Sequence, residues 1–324
     1  MSTATQAAAA TRAADEGHFH PRRLTHANLF VSDYLRSLDF YTRVVGLNEV
    51  YRQPLVPAAF LSNGNTHHDI AVTDIRAAYA KGRGVGLFHV AFELETEVEL
   101  VRDYERATRA GMTFADTQDH DIAHAVYGRD PDGNLYELYA DVVTDWRNRR
   151  KGVVTKAKPP WAPGVTEPST ERHYHAAPPI ERVEKAVFHA VKTTHAAFVA
   201  RDWRAMVEHY RTVVGLSPLH DGGDWMLLGG SLGEPSLALY KAEAHEATGL
   251  HHVGFRVTDE ADLAASIARL GADGIALESE HDGPIRRSAF VRDPDGFLLQ
   301  FYVDRRWSIT DLAGMPRGTA IAVF

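Results

Sequence analysis

The chain repeats itself, and the repeat limits its fold more than any other feature. FYTRVVGLNEV at 40–50 returns as HYRTVVGLSPL at 209–219, an offset of 169 residues. GLFHVAFEL at 86–94 returns as GLHHVGFRV at 249–257, and RDPDGNLYEL at 129–138 as RDPDGFLLQF at 292–301, both at an offset of 163. Matches spread over this span mark a duplicated unit and not a recurrent turn. Each copy divides again. LTHANLFVSD opens with an alternating strand, after which Ser32 or Asp33 can cap a helix carrying Leu35, Leu38, Tyr41 and Val45 at helical spacing. Short strands follow in NEVYRQ, AAFLS and HHDIAV. The next quarter repeats this order with FHVAFEL, the helical EVELVRDYERATRAG, and strands around MTFA, HAVYG and LYELYA. The DPDG turn joins the last two, with Pro131 suited to the second position and Gly133 to the fourth of a type I turn. The pattern predicts an α+β fold of four βαβββ units, two per half, with curled mixed sheets and helices outside.

The organisation expected along the 324 residues is a disordered arm over 1–20, a first module over 21–145, a proline-rich linker over 146–186, a second module over 187–305 and a tail over 306–324. The tail ends in TAIAVF, apolar enough to pack on the body or on a neighbouring subunit. No run approaches 18 apolar residues and the start lacks a signal-like apolar core, so a cytoplasmic protein without membrane contact is expected. A net charge of −8 without a long basic run argues against nucleic acid as a partner. With no cysteine, any metal must be held by nitrogen and oxygen, and 18 histidines make that worth pursuing.

Strand alternation separates two faces. In THANLFV, Thr25, Ala27, Leu29 and Val31 form one face, and His26, Asn28 and Phe30 the other. In FHVAFEL, Phe88, Val90, Phe92 and Leu94 suit packing on helices, which turns His89 the other way with Ala91. Glu137 lies between Leu135 and Tyr139 in LYELYA. A sheet curled with helices outside brings His26, His89 and Glu137 together inside. A single strand histidine usually packs or faces water, but three such residues at equivalent repeat positions point to a shared centre. Two imidazoles and one carboxylate are a facial triad that suits Fe(II), or Mn(II), and leaves three coordination positions open.

On these residues the chain resembles the vicinal-oxygen-chelate superfamily, and most closely its type I extradiol ring-cleaving dioxygenases, from about residue 22 to residue 305. The resemblance implies that His26, His89 and Glu137 are the metal ligands, a set that fosfomycin-resistance and glyoxalase-like relatives would also fit. It places an acid–base histidine at His68 of HHDIAV. It also implies substrate-side roles for His120 and Tyr127 in DHDIAHAVYGRDPDGNLYE, with His124 able to compete because His120 stands only seven residues before Tyr127. The implied reaction is oxygen-dependent cleavage of a catechol-type ring, in which the histidine takes a proton from the diol and returns one as the O–O bond breaks. The implied partners are a small aromatic diol and O2, in a homo-oligomer.

The second copy keeps His195 and His252 but has Gln300 for Glu137, Phe290 for Tyr127 and Pro235 for His68. It reads as a half that kept its fold and lost its chemistry, although glutamine can ligate metals and His195, His252 and Gln300 stay open as a weak site. Pairing of units across the halves, joining His195 to His89 and Glu137, also stays open. Two other functions compete: a metal-dependent isomerase, epimerase or thiol transferase, for which His68 and Tyr127 are unneeded, and a resistance protein that sequesters an aromatic ligand without turnover.

Overall fold

The structure is a computed structural model that describes residues 17–155 and 161–324. Most of the expected arm therefore lies outside the described residues. Its last residues do not hang free: Phe19 is fully buried, its ring 5.8 Å from Phe114, and the His18 N–H donates to Thr212 O at 2.9 Å.

In the first half, β1 (Arg23–Val31), α1 (Tyr34–Phe40), β2 (Asn48–Gln53), β3 (Ala58–Ser62) and β4 (Ile70–Asp74) make one unit. The second unit is β5 (Gly86–Glu93), α2 (Glu97–Arg109), β6 (Asp116–Asp119), β7 (Ala123–Arg129) and β8 (Leu135–Asp141). The caps follow the sequence: Asp33 accepts from the Leu35 and Arg36 N–H groups, and Thr96 accepts from Glu99 N. A short helix α3 (Trp146–Arg149) and the two-residue β9 (Gly152–Val153) follow within the linker. The second half holds β10 (Ala190–Ala200), α4 (Trp203–Thr212), β11 (Ser217–Asp221), β12 (Trp225–Gly229) and β13 (Pro235–Lys241). Its last unit is β14 (Gly249–Val257), α5 (Glu260–Arg269), β15 (Leu277–Asp282), β16 (Arg286–Arg292) and β17 (Leu298–Asp304), before the final helix α6 (Arg317–Val323).

Each half is one mixed sheet, ordered β6-β7-β8-β5-β1-β4-β3-β2-β9 in the first and β11-β12-β13-β10-β14-β17-β16-β15 in the second. Within each unit the first strand runs parallel to the last, and the two first strands of a half pair antiparallel. Units therefore pair within halves, not across them. One apolar core spans both halves, drawing Leu29, Val31 and Val90 from the first and Phe198, Val253 and Phe255 from the second.

The two DPDG turns clasp the halves together. Asp130 accepts from the Tyr210 hydroxyl at 3.0 Å, and Asp132 from the Arg201 and Asp202 N–H groups. Reciprocally, Asp293 accepts from the Tyr41 hydroxyl at 3.2 Å, and Asp295 from Ser32 N and Oγ. Tyr41 and Tyr210 are the same position of the repeat, so the turn is written twice because each copy grips the other half.

Candidate metal centre

Two irregularities in the pairing of β1 with β5 shape the site. Leu24 opposes Phe92 but His26 opposes Ala91, so Thr25 is an extra residue; Asn28 opposes His89 but Leu29 opposes Leu87, so Phe88 is another. An inserted residue resets the two-residue alternation locally. Thr25, expected on the helix face, therefore lies beside His26, with Oγ1 3.3 Å from Nδ1 and donating to Ala91 O. With that hydroxyl's proton on Ala91 O, its oxygen can accept from His26 Nδ1–H, the tautomer in which Nε2, 3.2 Å from Glu137 Oε2, offers its lone pair to a cation. Phe88, also expected against helices, instead stacks on Phe30 at 4.6 Å and lines the cavity.

The curled sheet brings His26, His89 and Glu137 together, each at most 3% exposed. Glu137 Oε2 stands 3.2 Å from His26 Nε2 and 2.9 Å from His89 Nε2, and one ligand atom from each residue lies within 4.8 Å of the others. The His89 approach is close but wrongly angled for a hydrogen bond, and neither of its ring nitrogens has such a partner among the described residues. Burial alone would raise the Glu137 carboxyl, but His26 and His89 hold it well below the usual carboxylate range. Burial pushes the His26 imidazole down to about 4, against the pull of Glu137. An ionised carboxylate and unprotonated imidazole at neutral pH, with an orphaned buried nitrogen on His89, fit a divalent cation. A second cluster, His26 with His67 and His68, is equally compact, but it has no charged ligand and His67 Nδ1 faces Asp141 at 3.1 Å.

The other singled-out residues surround this set. The His68 ring lies over His26, centroids 3.8 Å apart, and burial with His26 and His67 beside it pushes its imidazole well below the ordinary value. Tyr127 Oη is 2.9 Å from His120 Nε2, which in turn stands 3.6 Å from Glu137 Oε1. The short His120–Tyr127 spacing is met by a tight hairpin in which Asp116 pairs with Tyr127 and His120 N donates to Ala123 O. Burial and the nearby Glu137 charge raise the Tyr127 phenol, which stays protonated. His124 faces away, 2.6 Å from Glu97 and stacked on Trp161 at 4.4 Å.

A cavity of about 550 Å³ opens over these groups. Phe88 and Tyr79 line it, as do Phe60, Leu55 and Val56, with Asn28 and Gln53 as polar wall residues. Sequence alternation put Asn28 on the His26 face; Phe88 was hidden by the bulge, Leu55 and Val56 come from a turn and Tyr79 from a single 3-10 turn, none of them with a periodicity to read.

In the second half the corresponding hollow is filled by α6 and Phe324, packed with Trp225, Tyr240 and Leu227. Gln300 Nε2 donates to Ala322 O, Val323 O and Ser288 Oγ at 3.1–3.3 Å. A carboxylate could not donate to those carbonyls, so position 300 serves the final helix. The Arg286 guanidinium, 3.5 Å from the centre of the Tyr302 ring, adds positive charge that pushes His195 and His252 further down after burial has done so. His195 also lies against Gly254, where a Cβ would fall 2.1 Å from Cε1; the first half has Ala91 there.

Two modules of paired βαβββ units, one of them closing on a two-histidine, one-carboxylate set able to hold a metal, make a duplicated α+β protein. The family model of the Glyoxalase/Bleomycin resistance protein/Dioxygenase superfamily matches residues 23–138 and 192–301, more than half of the chain, and the chain belongs to that superfamily. It is 30% identical over 122 residues to biphenyl-2,3-diol 1,2-dioxygenase 3 of Rhodococcus globerulus, covering 37% of this chain and 63% of the relative. It is 32% identical over 129 residues to catechol-2,3-dioxygenase of Bacillus subtilis (strain 168), covering 39% and 45%. The matches thus span roughly half to two thirds of these relatives. Among solved structures, the Mn(II)-bound glyoxalase from Novosphingobium aromaticivorans has a TM-score of 0.63 at 16% identity, covering 87% of this chain and 82% of that one. The 2,3-dioxygenase LapB from Pseudomonas sp. KL28 has the same TM-score at 15% identity, covering 88% and 93%. A glyoxalase and a dioxygenase fit equally well, so these likenesses show the fold and not the reaction.

Proposed function

We propose that the first half is an extradiol dioxygenase that cleaves a catechol-type ring with O2, using Fe(II), with Mn(II) as the alternative metal. The observation that carries this reading is the placement of His68, Tyr127 and His120 around a His26–His89–Glu137 set at the floor of an apolar cavity. A bound ferrous ion would supply Lewis acidity to two adjacent hydroxyl oxygens and the redox chemistry that dioxygen needs.

The protein's own groups supply the rest. Burial keeps the His68 imidazole neutral, so it can take a proton from a diol hydroxyl and later return one. Tyr127 stays a phenol and can donate a hydrogen bond to a developing oxyanion, with His120 orienting its hydroxyl. The carboxylate of Glu137 offsets one charge of the cation, and a diol monoanion offsets the other. Phe88, Tyr79, Phe60 and Leu55 exclude water and offer apolar faces to an aromatic ring. A cavity of about 550 Å³ is far larger than one ring needs. That favours a diol with a second ring, as in the name of the Rhodococcus relative, over catechol itself.

Oxygen uptake by the iron-loaded protein on 2,3-dihydroxybiphenyl and on catechol tests the proposal. One O2 consumed per diol, with a lower KM for the biphenyl compound, is expected. Metal-dependent turnover of an α-ketoaldehyde–thiol adduct without oxygen uptake would assign the site to isomerase chemistry instead.

A further inference from the structure

The duplication supplies an internal control for a residue that the proposed chemistry does not use. Asp69 follows His68 and its side chain is fully buried. Its Oδ1 accepts from Thr193 N of the second half at 3.0 Å and from Asn65 Nδ2 at 3.4 Å, and Oδ2 lies 2.8 Å from Ser62 Oγ. Thr193 Oγ1 also donates to the Asp69 carbonyl at 3.1 Å. Arg23 completes the frame by donating to Asn65 Oδ1 and O. The residues so gathered, 62–69, are the segment that presents His67 and His68.

The other copy makes the same cross-tie differently. Leu24, the repeat counterpart of Thr193, donates its N–H to Ser236 Oγ at 3.2 Å, and Ser236 is the counterpart of Asp69. Both donors stand where the first strand of a half breaks register. A hydroxyl therefore suffices to join the halves. A buried carboxylate costs desolvation that a hydroxyl does not, and burial indeed pushes the Asp69 carboxyl above its ordinary value. The half that bears His68 keeps that costly group; the half with Pro235 in its place does not.

We propose that Asp69 is the positioning residue for His68, and that the second half serves the first half's chemistry by holding Asp69 at Thr193. One serine acceptor fixes a strand edge, whereas two carboxylate oxygens gather Thr193, Asn65 and Ser62 and so fix the segment before the histidine. This rests on the reading of His68 as the acid–base group.

The test is Asp69→Ser, which copies the second half, measured alone and on a His68→Gln background in the iron-loaded full-length protein. Expected are a drop in kcat of about 10-fold or more, part of the ~10²–10⁴-fold that a placed acid–base group contributes, with KM and iron affinity within about two-fold. On the His68→Gln background the same substitution should change kcat by less than about two-fold, since its effect passes through His68. A wild-type kcat in Asp69→Ser, or effects that multiply, would overturn the proposal. If Asp69→Ser does not fold, Asp69→Asn keeps the size and the acceptor for Thr193 and is judged by the same double-variant criterion. Failure of the underlying reading looks different: the wild-type protein would then bind iron and a diol anaerobically yet turn over none in air.

Discussion

Glu137 is the residue of the repeated segment whose charge only one copy keeps, and the strongest consequence attaches to it. In Glu137→Gln, His26 and His89 lose their anionic partner and the proposed metal site loses its one charged ligand. Iron content after desalting is expected to fall from near one per chain to near zero, while the thermal midpoint of the apo-protein changes little. Retention of iron would remove Glu137 from the ligand set. Thr25→Val keeps shape but removes the hydroxyl that fixes the His26 tautomer. Partners of this kind set metal affinity by ~10–100-fold, so chelator competition should show at least a 10-fold weaker site. Alternation and spacing made His26, His89 and Glu137 legible in the sequence. Thr25 and Phe88 were misread because a bulge inserts one residue without any compositional mark, and either side chain suits both faces of a strand.

Among the elements, the DPDG turns carry a function that their turn chemistry concealed. Proline and glycine account for the turn, so nothing in the sequence required the aspartates to reach another element; only the packing of the halves shows Tyr41 on Asp293 and Tyr210 on Asp130. Hydrogen bonds to charged groups contribute about 1.5–3 kcal/mol each. Tyr41→Phe and Tyr210→Phe are each expected to lower the urea-unfolding free energy by an amount near the low end of that range, with iron affinity unchanged. A loss confined to one of the two variants would show that the clasp is not symmetric. The final helix illustrates the same limit on reading: its apolarity predicted packing, but not that it would fill the second hollow and turn position 300 into a donor site.

At the scale of the whole molecule, the repeat made the four units and the two halves plain. Pairing within halves was not legible, because the first strand of every unit carries the same pattern and could meet either neighbour. The contact between halves also sets a pH dependence. His209 on α4 packs its ring 5.3 Å from Tyr136 of the first half, and burial pushes its imidazole down to about 4. An unfolded histidine titrates near 6.5, so the fold favours the neutral ring. The His209 contribution to stability is full above about pH 6.5 and is lost as pH falls from there towards 4. Urea midpoints of the apo-protein at pH 7 and pH 5 should differ less in His209→Gln than in the wild type.

In the proposed function the first half presents one metal with open positions for a vicinal diol. Anaerobic titration of the iron-loaded protein with 4-nitrocatechol, followed by its visible spectrum, tests this most directly. A spectral shift to the chelated catecholate is expected, saturating at one equivalent per chain and absent from Glu137→Gln. No shift with iron demonstrably bound, or saturation at two equivalents, would contradict the proposed function.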